Sequence, residues 1–346
     1  MDFAFSEEQE LLRSTARDWL AERYPPDRVA TLADSEAGWE PESWKQLDEL
    51  GWLDSDLGVV DLAVLAEETG SALYPGPWWS HTALAAPLLA GTGPATLGWA
   101  DAEVRLLADA AFTAATRAEA DADAWRVTGS KVRVPDGAAA RSAVVTAQTD
   151  DGVALFAVDL DRAIVEPVST MDRTRRYATV HLDATPADLL VPPAETGAAL
   201  AAVRLRALAL LSCEAVGVLS RALELAVTYA KERTQFGRPI GSYQAVAHRL
   251  ADTYAELQLA RSLAYRAAWC VDVQDPAAPA AVATAMASAS EAAVDGCEQA
   301  IQAMGGIGFT WEHPLHRFYK RARWIASVEG SPATFRAELA ASLLDT

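Results

Sequence analysis

The sequence predicts an α+β protein, mostly α, in the order helical segment, β segment, helical bundle. Three observations give this. Apolar residues repeat at helical spacing over the first part of the chain, as in Leu11, Leu12, Ala16 and Leu20. Between about Gly91 and Pro193 that spacing gives way to short alternating runs. From Thr196 onward, long alanine- and leucine-rich stretches restore the helical period. The expected boundaries are 1–95, 96–195 and 196–346.

In the first segment, Ser6 followed by Gln9 forms a capping box, in which side chain and backbone satisfy each other's free N–H groups. A second helix should start after Pro41 and stop at Gly51, and a third should cover Val60 to Thr69 and stop at Gly70. Pro75-Gly76-Pro77 is a break, with another helix to about Leu89. In the β segment, Trp125 to Val134 reads as a hairpin or bulged strand pair around Gly129. Ser142–Ala147 and Val153–Val158 are strands joined across Asp150-Asp151-Gly152, and Tyr177–Leu182 is a further strand. The last segment should hold helices over about Ala199–Lys231, Ser242–Val273 with Ser242 as N-cap, Asp275–Gly306, His313–Ala326 and Pro332–Leu344.

The chain has 346 residues, 29 basic and 48 acidic, so its formal charge is −19. A polyanion of this size is repelled by nucleic acid and by anionic membrane surfaces, although one local basic site for an anionic cofactor is compatible with it. Cys213, Cys270 and Cys297 are too few and too scattered for a disulfide framework or a zinc site, and are expected as buried thiols in a reducing compartment. No signal peptide pattern is present at the start and no apolar run is long enough to span a membrane, so a cytoplasmic protein is expected. His313 and His316 lack a third ligand and carry no metal site by spacing. The many tryptophans, among them Trp78, Trp79, Trp311 and Trp324, read as packing or interface residues.

Two segments could carry chemistry. Tyr229 to Gln244 brings Arg233 and Arg238 to a glycine-containing turn between helices, which suits either a solvated loop or a grip on pyrophosphate. Gln302 to Glu312 holds Gly305, Gly306 and Gly308 after a helix, either as a C-cap or as bare backbone for a ligand. Taken together they are more specific. R-x-Q-F-G-x-P-I-x-x-Y-Q at Arg233–Gln244 and Q-x-x-G-G-x-G-F-T at Gln302–Thr310 resemble the acyl-CoA dehydrogenase family. Phe5–Leu12 and Leu65–Gly70 resemble its N-terminal domain.

The resemblance implies a C-terminal four-helix bundle, usually a tetramer, FAD as cofactor, and α,β-dehydrogenation of an acyl-CoA or acyl-carrier thioester, with electron-transfer flavoprotein as the oxidant of the reduced flavin. It assigns Arg233, Gln235 and Phe236, with Gln244 as a further candidate, to the FAD pyrophosphate and adenine region. Gln302, Gly305 and Gly306 go to the adenosine side, often of a neighbouring subunit's FAD. It puts the base at Glu329, in Ser327-Val-Glu-Gly-Ser331. The family's other base position falls on Ala207, with Glu214 two turns further along as a second candidate.

The sequence also departs from the family. Leu97–Leu106 replaces the usual T-E-P-x-x-G-S-D segment, Val132-Arg-Val134 replaces W-I-T, and the loop Trp52–Gly58 is short. With Thr170–Arg176 and Phe309–His313, these changes resemble subunits of paired α2β2 enzymes for bulky substrates such as steroid side chains. Two alternatives stay open: a non-redox or flavin-deficient subunit on the same fold, and an oxygen-using flavoenzyme.

Overall fold

The computed structural model describes residues 5–91, 93–101, 107, 114–121 and 124–344. The chain divides into two compact units: Met1–Thr31 with Gly58–Tyr74 and Leu208–Thr346, and Leu32–Leu57 with Pro75–Ala207.

The first unit is helical. Helix α1 (Glu7–Arg23) opens on the expected Ser6/Gln9 capping box. Helix α2 (Pro26–Asp34), which the sequence reading missed, begins in this unit, and α3 (Pro41–Glu49) belongs to the other. Helix α4 runs Val59–Ala72, past the expected stop at Gly70. Gly70 is there for packing: a Cβ on it would lie 2.3 Å from the Glu214 carbonyl oxygen. Gly217 has the reciprocal role, since its Cβ would lie 1.9 Å from the Glu67 carbonyl oxygen. These two glycines let α4 and the long α5 (Pro193–Glu232) approach backbone to backbone.

Helices α6 (Gln244–Asp272), α7 (Ala278–Met304), α8 (Leu315–Ile325) and α9 (Pro332–Leu344) complete the unit. The N-cap of α6 falls one residue later than expected, because Ser242 donates to the Pro239 carbonyl inside a 3₁₀ turn and Tyr243 takes the N-cap position. Helix α7 buries Ala281, Ala285, Ala289, Ala292, Ala293 and Ala300. Its alanine richness thus reflects close helix packing, not low complexity. All three cysteines are buried and free.

The second unit holds a seven-stranded sheet: β1 (Ala95–Gly98), β2 (Arg117–Asp121), β3 (Ala124–Pro135), β4 (Ser142–Thr149), β5 (Gly152–Asp159), β6 (Ile164–Val168) and β7 (Tyr177–Val191). Pairings β4–β2–β3–β7–β5–β4 close a ring of five strands, with β1 added to β4 and β6 to β7. Val127, Val145, Phe156, Val180 and Leu182 fill its core. Trp125 to Val134 is one strand and not a hairpin; register shifts at Val127/Gly129 and Lys131/Val134 bend it. The hairpin across Asp150-Asp151 forms as expected. After Pro77 the chain makes a short π-helical turn, Ser80–Ala85, instead of a helix to Leu89.

The motif Thr170–Arg176 has a local structural use in this unit. Asp172 accepts from the Thr174 N–H and hydroxyl, and the Arg176 guanidinium donates to the carbonyls of Ser35 and Glu36 at 2.7 and 2.8 Å, just past the end of α2. A separate strand segment, β8 (Thr234–Gln235) and β9 (Arg238–Pro239), forms a two-residue hairpin in the first unit.

Candidate active site

Glu329 lies in the loop between α8 and α9, and that loop is fixed at both ends. On the α8 side, the N–H groups of Ala326 and Ser327 donate to the carbonyls of Ala322 and Trp324. On the α9 side, Ser331 and Thr334 cap each other, each N–H donating to the other's hydroxyl at 3.2 Å. Gly330, at φ +134°, turns the chain between these anchors in a conformation that favours glycine. The result is a carboxylate only 4% exposed.

Glu214, the second candidate, projects from α5 and is 1% exposed. The wholly buried Arg321 of α8 donates to it through Nη1 at 2.5 Å. A buried carboxylate with a charge-assisted bond of this length is committed to its partner. Arg321 was not singled out from the sequence. Its signal was its place on the apolar face of α8, among Leu315, Phe318, Ala322 and Ile325.

The cofactor candidates sit on exposed backbone. In the β8–β9 hairpin, Phe236 (φ +51°) and Gly237 (φ +82°) form the turn. Phe236 is 93% exposed. Arg238 stacks over Tyr243 at 4.0 Å, and the Tyr243 hydroxyl donates to the Gln235 carbonyl. Arg233 is exposed and has no ion-pair partner among the described residues. At the end of α7, Gly305 takes φ +65°, and a Cβ on Gly305 or Gly306 would meet nothing within 4 Å. Gln302 is exposed one turn before Gly306, and Gln244 opens α6 beside the hairpin, also exposed. Phe309 and Trp311 follow at 80% and 74% exposure. An exposed arginine, exposed glutamine side chains and open glycine backbone fit a dinucleotide pyrophosphate and its adenosine.

The departures in the β segment take a definite form at Lys131, which is wholly buried. Its ammonium donates to Asp101 Oδ1 and to Thr146 Oγ1, both at 2.8 Å. Asp101 also accepts from the Ala115 N–H and the Thr116 hydroxyl. Burial lowers the Lys131 pKa to about 8, with Asp101 opposing the shift. Thus the one described acid of the divergent Leu97–Leu106 segment is used to neutralise a buried lysine; residues 102–106 lie outside the described residues.

The first unit thus carries a buried carboxylate on a fixed loop and, on other segments, exposed arginine, glutamine and glycine positions. The comparisons with known proteins give the family. Residues 6–97 match the acyl-CoA dehydrogenase N-terminal domain and residues 196–344 the acyl-CoA dehydrogenase C-terminal domain. The chain is 32% identical over 341 residues to acyl-CoA dehydrogenase IpdE2 of Mycobacterium tuberculosis, covering 94% of each. A chain of the steroid ACAD Tcur3481-Tcur3483 superposes with a TM-score of 0.85 at 29% identity, covering 98% of each chain. A chain of the ChsE4-ChsE5 complex from Mycobacterium tuberculosis gives 0.86 at 25% identity over the full length of both.

The fold and these matches define a flavin oxidoreductase that uses FAD. The chain belongs to the acyl-CoA dehydrogenase family. No described helix is long and apolar enough to cross a membrane.

Proposed function

We propose that this chain carries out α,β-dehydrogenation of an acyl thioester with Glu329 as the base. The observation that carries this reading is the burial of Glu329 on a loop anchored at both ends. Its carboxylate takes the proton from the carbon next to the thioester carbonyl and becomes a neutral acid. The fixed loop holds the carboxylate in one place, away from bulk water. When bound, FAD supplies the acceptor for the hydride that leaves the β-carbon. Arg233, Gln235 and Phe236, with Gln244 nearby, would hold its pyrophosphate and adenine region; Gln302, Gly305 and Gly306 would lie along the adenosine. Glu214 holds Arg321 and stays out of the proton transfer. Electron-transfer flavoprotein is the acceptor that regenerates the cofactor.

The chain works as one half of a mixed complex with a related subunit, on a bulky acyl group of the steroid side-chain class. Two features support this. Steroid ACAD Tcur3481-Tcur3483 and the ChsE4-ChsE5 complex are similar over nearly the whole chain. The hairpin and Phe309–Trp311 surfaces present apolar side chains outward, as a surface serving a neighbouring subunit would.

The test is flavin content, mass and acyl-CoA oxidation of the chain purified alone and after co-expression with a related subunit. The expected result is little flavin alone, and flavin with dehydrogenase activity in the mixed complex. Full flavin and activity in the chain alone would overturn the mixed assembly and leave the chemistry standing. Absence of flavin in both preparations would overturn the redox reading in favour of a binding subunit. Turnover that needs oxygen and no other acceptor would point to an oxidase.

A further inference from the structure

The first unit contains a cleft of about 570 Å³, separate from the Glu329 loop and from the hairpin and glycine segments. It is walled by α1, the C-terminal half of α4, the middle of α5, Arg261 of α6 and the first turn of α8. Its volume is that of a small-molecule site.

The charges in its lining resolve into pairs with one left over. Glu68 binds Arg17 in a fork at 2.7 and 3.1 Å. Glu67 accepts twice from Arg261, at 2.8 and 3.0 Å, and once from the Tyr265 hydroxyl at 2.7 Å. Glu224 accepts from Arg221 at 2.6 Å. Each acid of the lining therefore has its own arginine. Behind the wall, Arg13 lies 3.9 Å from both Glu67 and Glu68 and is paired with Glu10 at 3.6 Å, so it adds no net charge. The remaining lining cation, Arg317, is half-buried and has no side-chain hydrogen bond or ion pair among the described residues.

Arg317 also stands in the first turn of α8, an 11-residue helix whose first N–H, on Leu315, donates to His313 Nδ1 at 3.2 Å. The positive end of that helix and an uncompensated guanidinium thus meet at one end of the cleft. Local excess positive charge is notable in a chain of net charge −19. Other parts of the lining are apolar: Leu20, Tyr24, Leu73 and Phe318 are buried.

We propose that this cleft is a second ligand site, for an amphipathic carboxylate whose anionic head pairs with Arg317 and whose aliphatic body lies against Leu20, Tyr24, Leu73 and Phe318. The network around Glu67 and Glu68 fixes the floor and, being already neutralised, adds no repulsion toward the incoming anion.

Calorimetric titration of the purified protein with decanoate and with decanol tests this, using wild type, Arg317→Met and Ala21→Trp. Ala21 lines the cleft and is exposed, so tryptophan there obstructs the site without entering the core. Decanoate is expected to bind saturably at one per chain, with affinity falling at least tenfold for decanol and for Arg317→Met and lost in Ala21→Trp. Unfolding midpoints of both variants should stay at the wild-type value. No saturable decanoate binding by the wild type overturns the proposal. Binding equal for decanoate and decanol, or unchanged in the two variants, overturns it as well, because the carboxylate then lies elsewhere. None of these readouts depends on flavin or on Glu329.

Discussion

Lys131 is buried in the strand ring with its pKa lowered to about 8, and this sets a pH dependence. Between about 8 and the ordinary 10.5 the unfolded chain keeps a proton that the folded chain has lost, so stability rises with pH across that window. A shift of this size corresponds to about 3 kcal/mol over the window. Urea unfolding of wild type and Lys131→Met from pH 7.5 to 10.5 checks this: the rise belongs to the wild type and should be absent in the variant. His81 acts at the other end of the scale. Its ring packs edge-on against Trp44, its Nδ1 has no hydrogen-bond partner among the described residues, and burial lowers its pKa to about 4. Below 6.5 the unfolded chain takes up a proton that the folded chain refuses. Stability should therefore fall as pH drops from 6.5 to about 4, by up to about 3 kcal/mol. A His81→Gln variant should lose this acid limb in thermal unfolding. Neither group was legible beforehand, because a lysine in an alternating run, or a histidine in a helical one, looks the same whether it faces solvent or core.

The contact between α4 and α5 shows how packing overrides local signals. Gly70 reads as a helix stop, yet α4 passes through it because the space beside it is filled by the α5 backbone. Gly217 gave no signal at all within its long apolar run. Gly217→Ala should cost about 3 kcal/mol, the upper end of overpacking, since its Cβ meets a carbonyl oxygen that cannot yield without moving a helix. Gly306→Ala, whose Cβ meets open space, should change stability by no more than about 0.5 kcal/mol. Chemical denaturation of the two variants side by side measures both. Helix α5 and α8 are joined by Glu214 and Arg321, so Arg321→Met should lose about 3–5 kcal/mol by removing the cation that pairs with a buried carboxylate. Replacing both by leucine and methionine should recover most of that loss. Elements marked by caps or turn chemistry were legible: the Ser6/Gln9 start, the Asp150-Asp151 hairpin and the Pro332–Leu344 helix. Elements shaped by distant contacts were not. The π-helical turn after Pro77 and the single bulged β3 lack a local mark that distinguishes them, and the Pro26 start of α2 was overlooked.

At the scale of the whole chain, the family was legible because two motifs in fixed order carry it, and the match extends over both terminal domains. The resemblance to that family put the base at Glu329, in Ser327–Ser331. What it did not show is that Glu214 is occupied by Arg321, or that arginines gather around the buried Glu67 and Glu68; both follow from side chains that meet only after folding. The central claim is that Glu329 removes the substrate proton. The most direct measurement is anaerobic mixing of flavin-loaded protein with acyl-CoA thioesters, from butyryl-CoA to a steroid side-chain acyl-CoA. The flavin absorbance band is followed in wild type and in Glu329→Gln. Bleaching in the wild type, slowed at least about 100-fold in a variant that retains its flavin, is the expected result. Bleaching at the same rate in both would contradict the assignment.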